Sequence, residues 1–496
     1  MRTCDVLIAG LGPVGAALAA LLVREGVSVV AVEKDLEVYP LPRAAHFDHE
    51  IMRLFQQLGI ASEVLKHARI APAYEFRSAK SEVLLRFDLD QETSVSGWPQ
   101  GFMFNQPGVE RALRKLLADS PFAEVHLGRE LVDFAEDTLG ITATLAAPDG
   151  EEVVTARYLV GCDGASSTAR KLCGIALHDY GFDEPWLVVD AVVSDGATLP
   201  DINLQICDPA RPTTCVLMGP GRHRWEFMLK PGEITEEVLQ DAFLRRLLQP
   251  WDCGNSIEID RKAVYRFHGL VAKQWRKGHV LLAGDAAHQT PPFAGQGMCS
   301  GLRDAANLAW KLAAVLRGDA AEPLLDTYQV EREPHSRHFI ELAVGMGRVV
   351  CTRDPNVAAE RDAAMLAQRG AGTSRIPSLA PPSFAIGCIL PDTEAAGSMF
   401  PQAVVKQNGR VLRLDDVMGA GAWLITHNAV APPLKTPVPV RSVSLLNSDI
   451  APFVKDLREW LDRHHAAAVL VRPDRYVFGT GAPAVLSKAF AGWSAQ

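Results

Sequence analysis

The stretch Asp5-Val6-Leu7-Ile8-Ala9-Gly10-Leu11-Gly12-Pro13-Val14-Gly15, continued by Val27-Ser28-Val29-Val30-Ala31-Val32-Glu33, decides the fold. Val6 to Ala9 is an apolar run of strand length that stops at a complete G-x-G-x-x-G. Behind the glycines, Val14, Leu18, Leu21 and Leu22 recur at spacings of three and four, which predicts a helix with one apolar face ending at Gly26. Val27 to Val32 then reads as a buried parallel strand with Glu33 at its carboxyl end. In such a unit Gly10 permits the tight turn, Gly12 lets the backbone approach a pyrophosphate, and Gly15 lets the helix pack on the sheet. The phosphates sit at the positive helix N-terminus, flanked by Pro13 and Val14, and Glu33, followed by Lys34, accepts from a ribose diol. Strand, glycines, helix, strand and acid in register predict a dinucleotide site without saying which dinucleotide.

The remainder of the chain has to supply the chemistry. At 496 residues it predicts two to four domains, and a composition of 48% hydrophobic and 22% charged residues is that of a globular protein. With a formal charge of -9 and no basic block, nucleic acid is not an expected partner. The N-terminal residues lack the basic and apolar regions of a secretory signal, and no apolar run approaches the ~20 residues that span a bilayer, so a cytoplasmic location without membrane contact is expected. The nine cysteines occur singly, without a C-x-x-C pair, which predicts neither a metal site nor a disulfide framework.

After Lys34 a loop through Tyr39-Pro40-Leu41-Pro42 leads to Arg43, and Ala44 to Leu58 resumes a helical pattern. Arg43 reads either as a guanidinium near the cofactor or as a solvated cap charge. His46 and Asp48 read either as proton relays beside a redox centre or as capping residues. Residues Ile70 to Phe104 suggest a few inserted antiparallel strands. Gln106-Pro107 opens a further helix, with Gln106 placed to bond a cofactor ribose or cap that helix.

Two more loops follow strands. Ala156 to Val160 runs into Gly161-Cys162-Asp163-Gly164, and His279 to Ala283 runs into Gly284-Asp285, followed by Pro291-Pro292-Phe293-Ala294-Gly295-Gln296-Gly297-Met298 and a long helix from about Cys299 to Leu316. The second loop offers backbone N–H groups at a helix N-terminus, and Asp285 can accept a ribityl or ribose hydroxyl.

These three motifs, in this order, resemble those of the class A flavoprotein monooxygenases of the para-hydroxybenzoate hydroxylase fold, over about the first 350 residues. Pro291 to Gly301, Arg303 to Leu312 and Arg224-Trp225-Glu226-Phe227-Met228-Leu229 are similar in particular to the bacterial 3-(3-hydroxyphenyl)propionate hydroxylases. The resemblance implies an α/β protein: a Rossmann-like FAD-binding domain of the GR2 type, an interleaved mixed β-sheet substrate domain, and a small C-terminal thioredoxin-like α/β domain. The expected spans are 1–180, with inserted strands at about 70–104, then 181–270, 271–376 and 377–496. The first motif holds the ADP part of FAD. Asp285, with Gly284, Pro292, Gly295, Gln296, Gly297 and Met298, serves the riboflavin part, and Asp163 serves both FAD and NAD(P)H. Arg43, Gln106 and Leu131 match further residues lining FAD.

The implied activity is hydroxylation of a phenolic ring through a flavin C4a-hydroperoxide, with NADH or NADPH and O₂ as co-substrates. A hydroxyphenylpropionate is the first expectation. Alternatives are a larger hydroxylated ring such as a quinolone or polyketide, a flavin-dependent halogenase, or a non-catalytic FAD-fold protein; the halogenase signature W-x-W-x-I-P is missing after Trp225. Leu204, Met218, Trp225, Phe227 and Phe293 are the expected pocket residues. The protein is expected to be a monomer or homodimer.

Overall fold

β1 (Arg2–Ala9), α1 (Pro13–Arg24) and β2 (Val29–Glu33) form in the computed structural model as the opening stretch predicts. The structure describes residues 2–494 except 90, 195–197, 252, 254–255, 374–378, 408 and 429–434. The first sheet has eight strands, and five of them run parallel in the spatial order Val280–Leu282, Gly150–Gly161, β1, β2 and Ala123–Leu127. Val6, Leu7 and Ile8 are fully buried because α1 packs with the Gly297–Leu316 helix over this sheet. Register brings the three motifs together. Ala9 pairs with Gly161 and Gly161 pairs with Leu282, so the loops beginning at Gly10, Cys162 and Ala283 leave neighbouring carboxyl ends of one sheet, where open α/β sheets bind ligands.

A second, eight-stranded sheet runs in the order His288–Gln289, Ile257–Ala272, Leu177–Val193, Arg222–Met228, Thr213–Leu217, Asn203–Cys207, Ala73–Ser78 and Val83–Asp88. The last two strands lie by sequence inside the first nucleotide-binding segment, yet they join this sheet through the parallel pairing of Tyr74 with Asn203. One face rests on the main core through Phe76, Trp186 and Met228. The other packs Trp225, Phe227 and Leu204 under the short helices Thr235–Val238 and Asp241–Leu248.

Local departures have local causes. The helix expected from Ala44 starts at His49, because His46–Asp48 pairs as a strand with Gly101–Phe104. Extended backbone at Asp48 lets its carboxylate accept from the Glu50 and Ile51 N–H groups, an N-cap that fixes the helix start.

The C-terminal domain has a four-stranded sheet ordered Val440–Ser444, Ala422–Thr426, Ala468–Val471 and Val477–Gly481, the first pair parallel and the rest antiparallel, with helices Val454–Arg463 and Pro483–Ala491. It docks on the nucleotide-binding domain through buried ionic groups. Glu331 accepts from Arg472, Lys311 and Asn307, while Asp415 accepts from Arg53 and Arg475. Among the described residues no helix is long and apolar enough to cross a membrane.

Candidate active site

A cavity of about 340 Å³ opens at the carboxyl ends of the first sheet, lined by Gly10, Gly12, Pro13, Glu33, Lys34, Arg43, Gln106, Leu131 and Asp163 among others. Gly10 has φ +94°, and a Cβ there would stand 2.4 Å from the Cys162 carbonyl oxygen. A Cβ on Gly15 would stand 2.0 Å from the Gly10 oxygen, so this glycine is the close contact between helix and turn. On Gly12 a Cβ meets nothing within 4 Å, which leaves bare backbone in front of the α1 N-terminus. That open cradle suits a pyrophosphate.

The expected residues divide into direct and indirect roles. Glu33 has one carboxylate oxygen on the Leu11 N–H at 2.8 Å, beside the glycine turn. Arg43 is exposed, with its guanidinium 4.8 Å from the Tyr39 ring centroid. Gln106 accepts from the Arg43 and Ala44 N–H groups and donates to Glu110 at 2.6 Å, so it fastens the loop carrying Arg43 to the Gln106–Ala118 helix. Leu131 is buried in the wall. Asp163 caps the Thr168–Leu172 helix by accepting from the Ala169 N–H at 3.0 Å, with its second carboxylate oxygen buried and unpartnered among the described residues. Val14 acts through packing, its methyls lying where a Cβ on Gly284 or Gly301 would fall.

The second cluster lies outside that lining. Asp285 follows Gly284 (φ +63°) and exposes its carboxylate. The turn Pro292–Ala294 ends at Gly295 in the left-handed region, and the Gly297–Leu316 helix starts without a side-chain cap, leaving its first N–H groups available. Met298 is half-buried at the start of that helix. Thr290 Oγ1 and Gln296 Nε2 are buried without a partner among the described residues, as befits a loop built to meet a polar ligand. Arg43 lies close enough to Asp285 to act on its charge, which links the two clusters. Together the open cradle, the accessible Asp285 and these unpaired groups fit FAD.

The proton-relay reading divides. His46 donates from Nδ1 to the Gly295 carbonyl at 3.2 Å, and burial lowers its pKa, leaving a neutral ring against the loop. Asp48 is committed elsewhere. Burial, the largest single influence, would raise its pKa, but Arg303, His49 and His46 together hold it low, so it serves as helix cap and ion pair. The expected pocket wall also needs correcting. Leu204, Trp225 and Phe227 project into the outer core beneath the Asp241–Leu248 helix, away from the cofactor face. Met218 is buried beside Arg69, which donates to its carbonyl oxygen. Phe293 packs edge-on against Trp186 at 5.6 Å on the inner side.

Sequence reasoning missed the supports. Asp304, fully buried, accepts from the Gly284 N–H, His288 and Arg332, so a helix residue holds the Gly284-Asp285 turn. Arg303 binds Asp48, Glu50 and Gln296. The adjacent Arg303-Asp304 pair inside a largely buried helix was the available signal, since buried charges require partners.

Residues 3–343 match the FAD binding domain family, and residues 439–496 match the HcaD C-terminal domain. Over 96% of this chain and 92% of the relative, the sequence is 39% identical to a probable NADH-specific resorcinol 4-hydroxylase of Rhodococcus jostii. The chain belongs to the FAD-dependent aromatic hydroxylases. This hydroxylase is also 35% identical to a 3-(3-hydroxy-phenyl)propionate/3-hydroxycinnamic acid hydroxylase of Mycolicibacterium smegmatis, over 86% of the chain and 77% of the relative. Its fold matches that of aklavinone-11 hydroxylase solved with FAD and aklavinone, at a TM-score of 0.78 and 25% identity, covering 99% and 98% of the two chains.

Proposed function

We propose that this hydroxylase uses NADH and O₂ to hydroxylate a one-ring phenol. The observation that carries the reading is the join between the two halves of the site: Arg224, on the inner face of the second sheet, donates to the carbonyl oxygens of Pro42 and Arg43, and Arg43 lines the FAD cavity. The phenol-binding face is thereby tied to the cofactor rim. Bound FAD supplies electron transfer from NADH to O₂ and delivery of one oxygen atom to the ring. The chain's own residues do the remaining work. Gly10, Gly12 and Glu33 hold the ADP part, and Asp285 with the Pro292 to Met298 loop holds the riboflavin part. Trp186, Phe267 and Phe293 form an apolar, aromatic wall that excludes water.

NADH is supported by the name of the Rhodococcus jostii relative, and a one-ring phenol by the names of both bacterial relatives. The cysteines, placed singly along the sequence without a C-x-x-C pair, support a cytoplasmic enzyme. The reading is tested by loading the protein with FAD and following NADH oxidation with phenol, resorcinol, 3-(3-hydroxyphenyl)propionate and a polycyclic quinone added in turn. At least one one-ring phenol is expected to stimulate oxidation severalfold. Stimulation by the polycycle alone refutes the ring size, and stimulation by none refutes the activity.

A further inference from the structure

The inner face of the second sheet carries polar residues that the cofactor site leaves unused. Reading across the register, Phe76, Gln205, Thr214, Glu226 and Val188 stand in one row. On one side of Glu226 lies Arg224, bound to the Pro42 and Arg43 carbonyls at the cofactor rim. On the other lies Met228, paired with Trp186, whose ring meets Phe293 of the flavin loop. Strand alternation therefore points the Glu226 carboxyl between the cofactor rim and the flavin loop.

Glu226 is only 5% exposed, yet among the described residues it makes no hydrogen bond, and its ionic contact is Arg224 at 3.8 Å. Buried carboxyls normally find donors, so an unbonded one facing a cofactor rim awaits a ligand donor. Beside it Thr214 donates to Gln205 at 2.7 Å and Gln205 donates to the Tyr74 oxygen at 2.8 Å, which leaves the Tyr74 hydroxyl proton without an acceptor among the described residues. Charges on this face balance when Glu226 is ionised: Arg224 and Arg261 stand against Asp190 and Glu226. The terminal guanidinium nitrogens are taken. Those of Arg224 bind Asp190, Pro42 and Arg43, and those of Arg261 bind Asp190, Pro42 and Tyr265.

We propose that Glu226 accepts the hydrogen bond of a substrate hydroxyl, and that this face selects an uncharged polyhydric phenol over a phenol bearing a carboxylate. The inference rests on the phenol hydroxylase reading above and narrows its substrate class. A substrate carboxylate would add a third negative charge to a balanced buried cluster whose Arg224 and Arg261 guanidinium ends are already taken. A neutral ring with two hydroxyls meets an acceptor in Glu226 and a donor in Tyr74. Burial raises the Glu226 carboxyl to about 7, so near neutral pH it can take the proton of the hydroxyl it holds. The O–H bond breaks, the carboxyl gains the proton, and the ring keeps the electron pair as phenolate.

The test uses the FAD holoenzyme and its E226Q variant, with resorcinol and 3-(3-hydroxyphenyl)propionate as probes. kcat/KM and the dissociation constant from the flavin absorbance change are measured from pH 6 to 9. The wild type is expected to favour resorcinol at least tenfold. In E226Q, resorcinol kcat/KM falls about ten- to hundredfold, as for loss of a charged hydrogen bond. The same change leaves one positive charge in excess, so the carboxylate substrate gains, and an ionisation near neutrality disappears from the pH profile. Unchanged FAD absorbance and melting temperature establish that the variant folds, and Y74F gives a second, milder loss. A wild type that prefers the carboxylate, or an E226Q enzyme within about threefold of wild type on both probes, overturns the proposal while leaving phenol hydroxylation intact. Failure of every phenol to stimulate NADH oxidation refutes the functional reading and this inference with it.

Discussion

Replacing Glu331 by alanine should detach the C-terminal domain from the flavin domain. Glu331 is 1% exposed on the Pro323–Val350 helix and accepts from Arg472 at 2.7 and 3.0 Å, Lys311 at 2.7 Å, Asn307 at 2.7 Å and the Cys388 N–H at 2.7 Å. With the carboxylate gone, Arg472 and Lys311 share Asp474 as their remaining buried counter-charge, and Asp474 touches only Arg472 among these two. Removing one partner of a buried pair costs about 3–5 kcal/mol because the other charge stays desolvated. At about 2 °C per kcal/mol for a chain of this size, the melting temperature falls about 6–10 °C. The assay is thermal unfolding of the FAD-loaded protein, with flavin release and tryptophan fluorescence followed together, since a chain of several domains need not melt in one step. A double variant, Glu331→Leu with Lys311→Met, restores charge balance and should recover at least half of the loss. A single variant within about 2 °C of wild type, or a double variant no better than the single, refutes the ionic account of domain docking.

Acid should act on the same seam. Burial alone would raise the Glu331 carboxyl, but Arg472 and Lys311 outweigh it and bring it down from 4.5 to about 2. A folded pKa below the unfolded one contributes stability that is present above pH 4.5 and is lost as pH falls towards 2, about 3 kcal/mol in all, so the melting temperature should drop steeply below pH 4.5 in wild type and less in Glu331→Gln. Gly12→Ala and Gly15→Ala separate cofactor binding from folding. The first should leave the apoprotein's melting temperature unchanged and weaken FAD at least tenfold in a titration, whereas the second, with its Cβ 2.0 Å from the Gly10 oxygen, should lower apoprotein stability itself. Trp225→Ala empties the outer core of the second sheet and should cost about 3–5 kcal/mol in urea unfolding, with KM for the phenol unaltered in the folded fraction.

The nucleotide half of the fold was legible because its signal is local. Strand, glycine turn, helix and acid follow one another between Asp5 and Glu33, and the Asp163 and Asp285 loops each follow their own strand. The substrate face was not, because the central strands of the second sheet are buried on both sides. In Arg222–Met228 the apolar residues Trp225 and Phe227 looked like pocket wall, but they fill the outer core, while Arg224 and Glu226 turn toward the cofactor. Hydrophobicity marks burial and does not say which face meets a ligand. Partners distant in sequence were invisible for a different reason. Tyr74 pairs with Asn203, and Glu331 with Arg472, so no window of sequence contains both members. Asp48 illustrates a third limit: as cap and partner of Arg303 it has the composition of a proton relay and the wiring of a structural residue.

In the proposed reaction a bound FAD in this cavity puts oxygen from O₂ onto a phenol. This transfer is tested most directly by running the FAD holoenzyme with NADH and resorcinol under ¹⁸O₂, and counting NADH consumed, H₂O₂ released and labelled product together. One ¹⁸O atom in a ring hydroxyl per NADH is expected, with little H₂O₂. NADH consumption that ends wholly in H₂O₂ with every one-ring phenol, or product carrying oxygen from water, would contradict it.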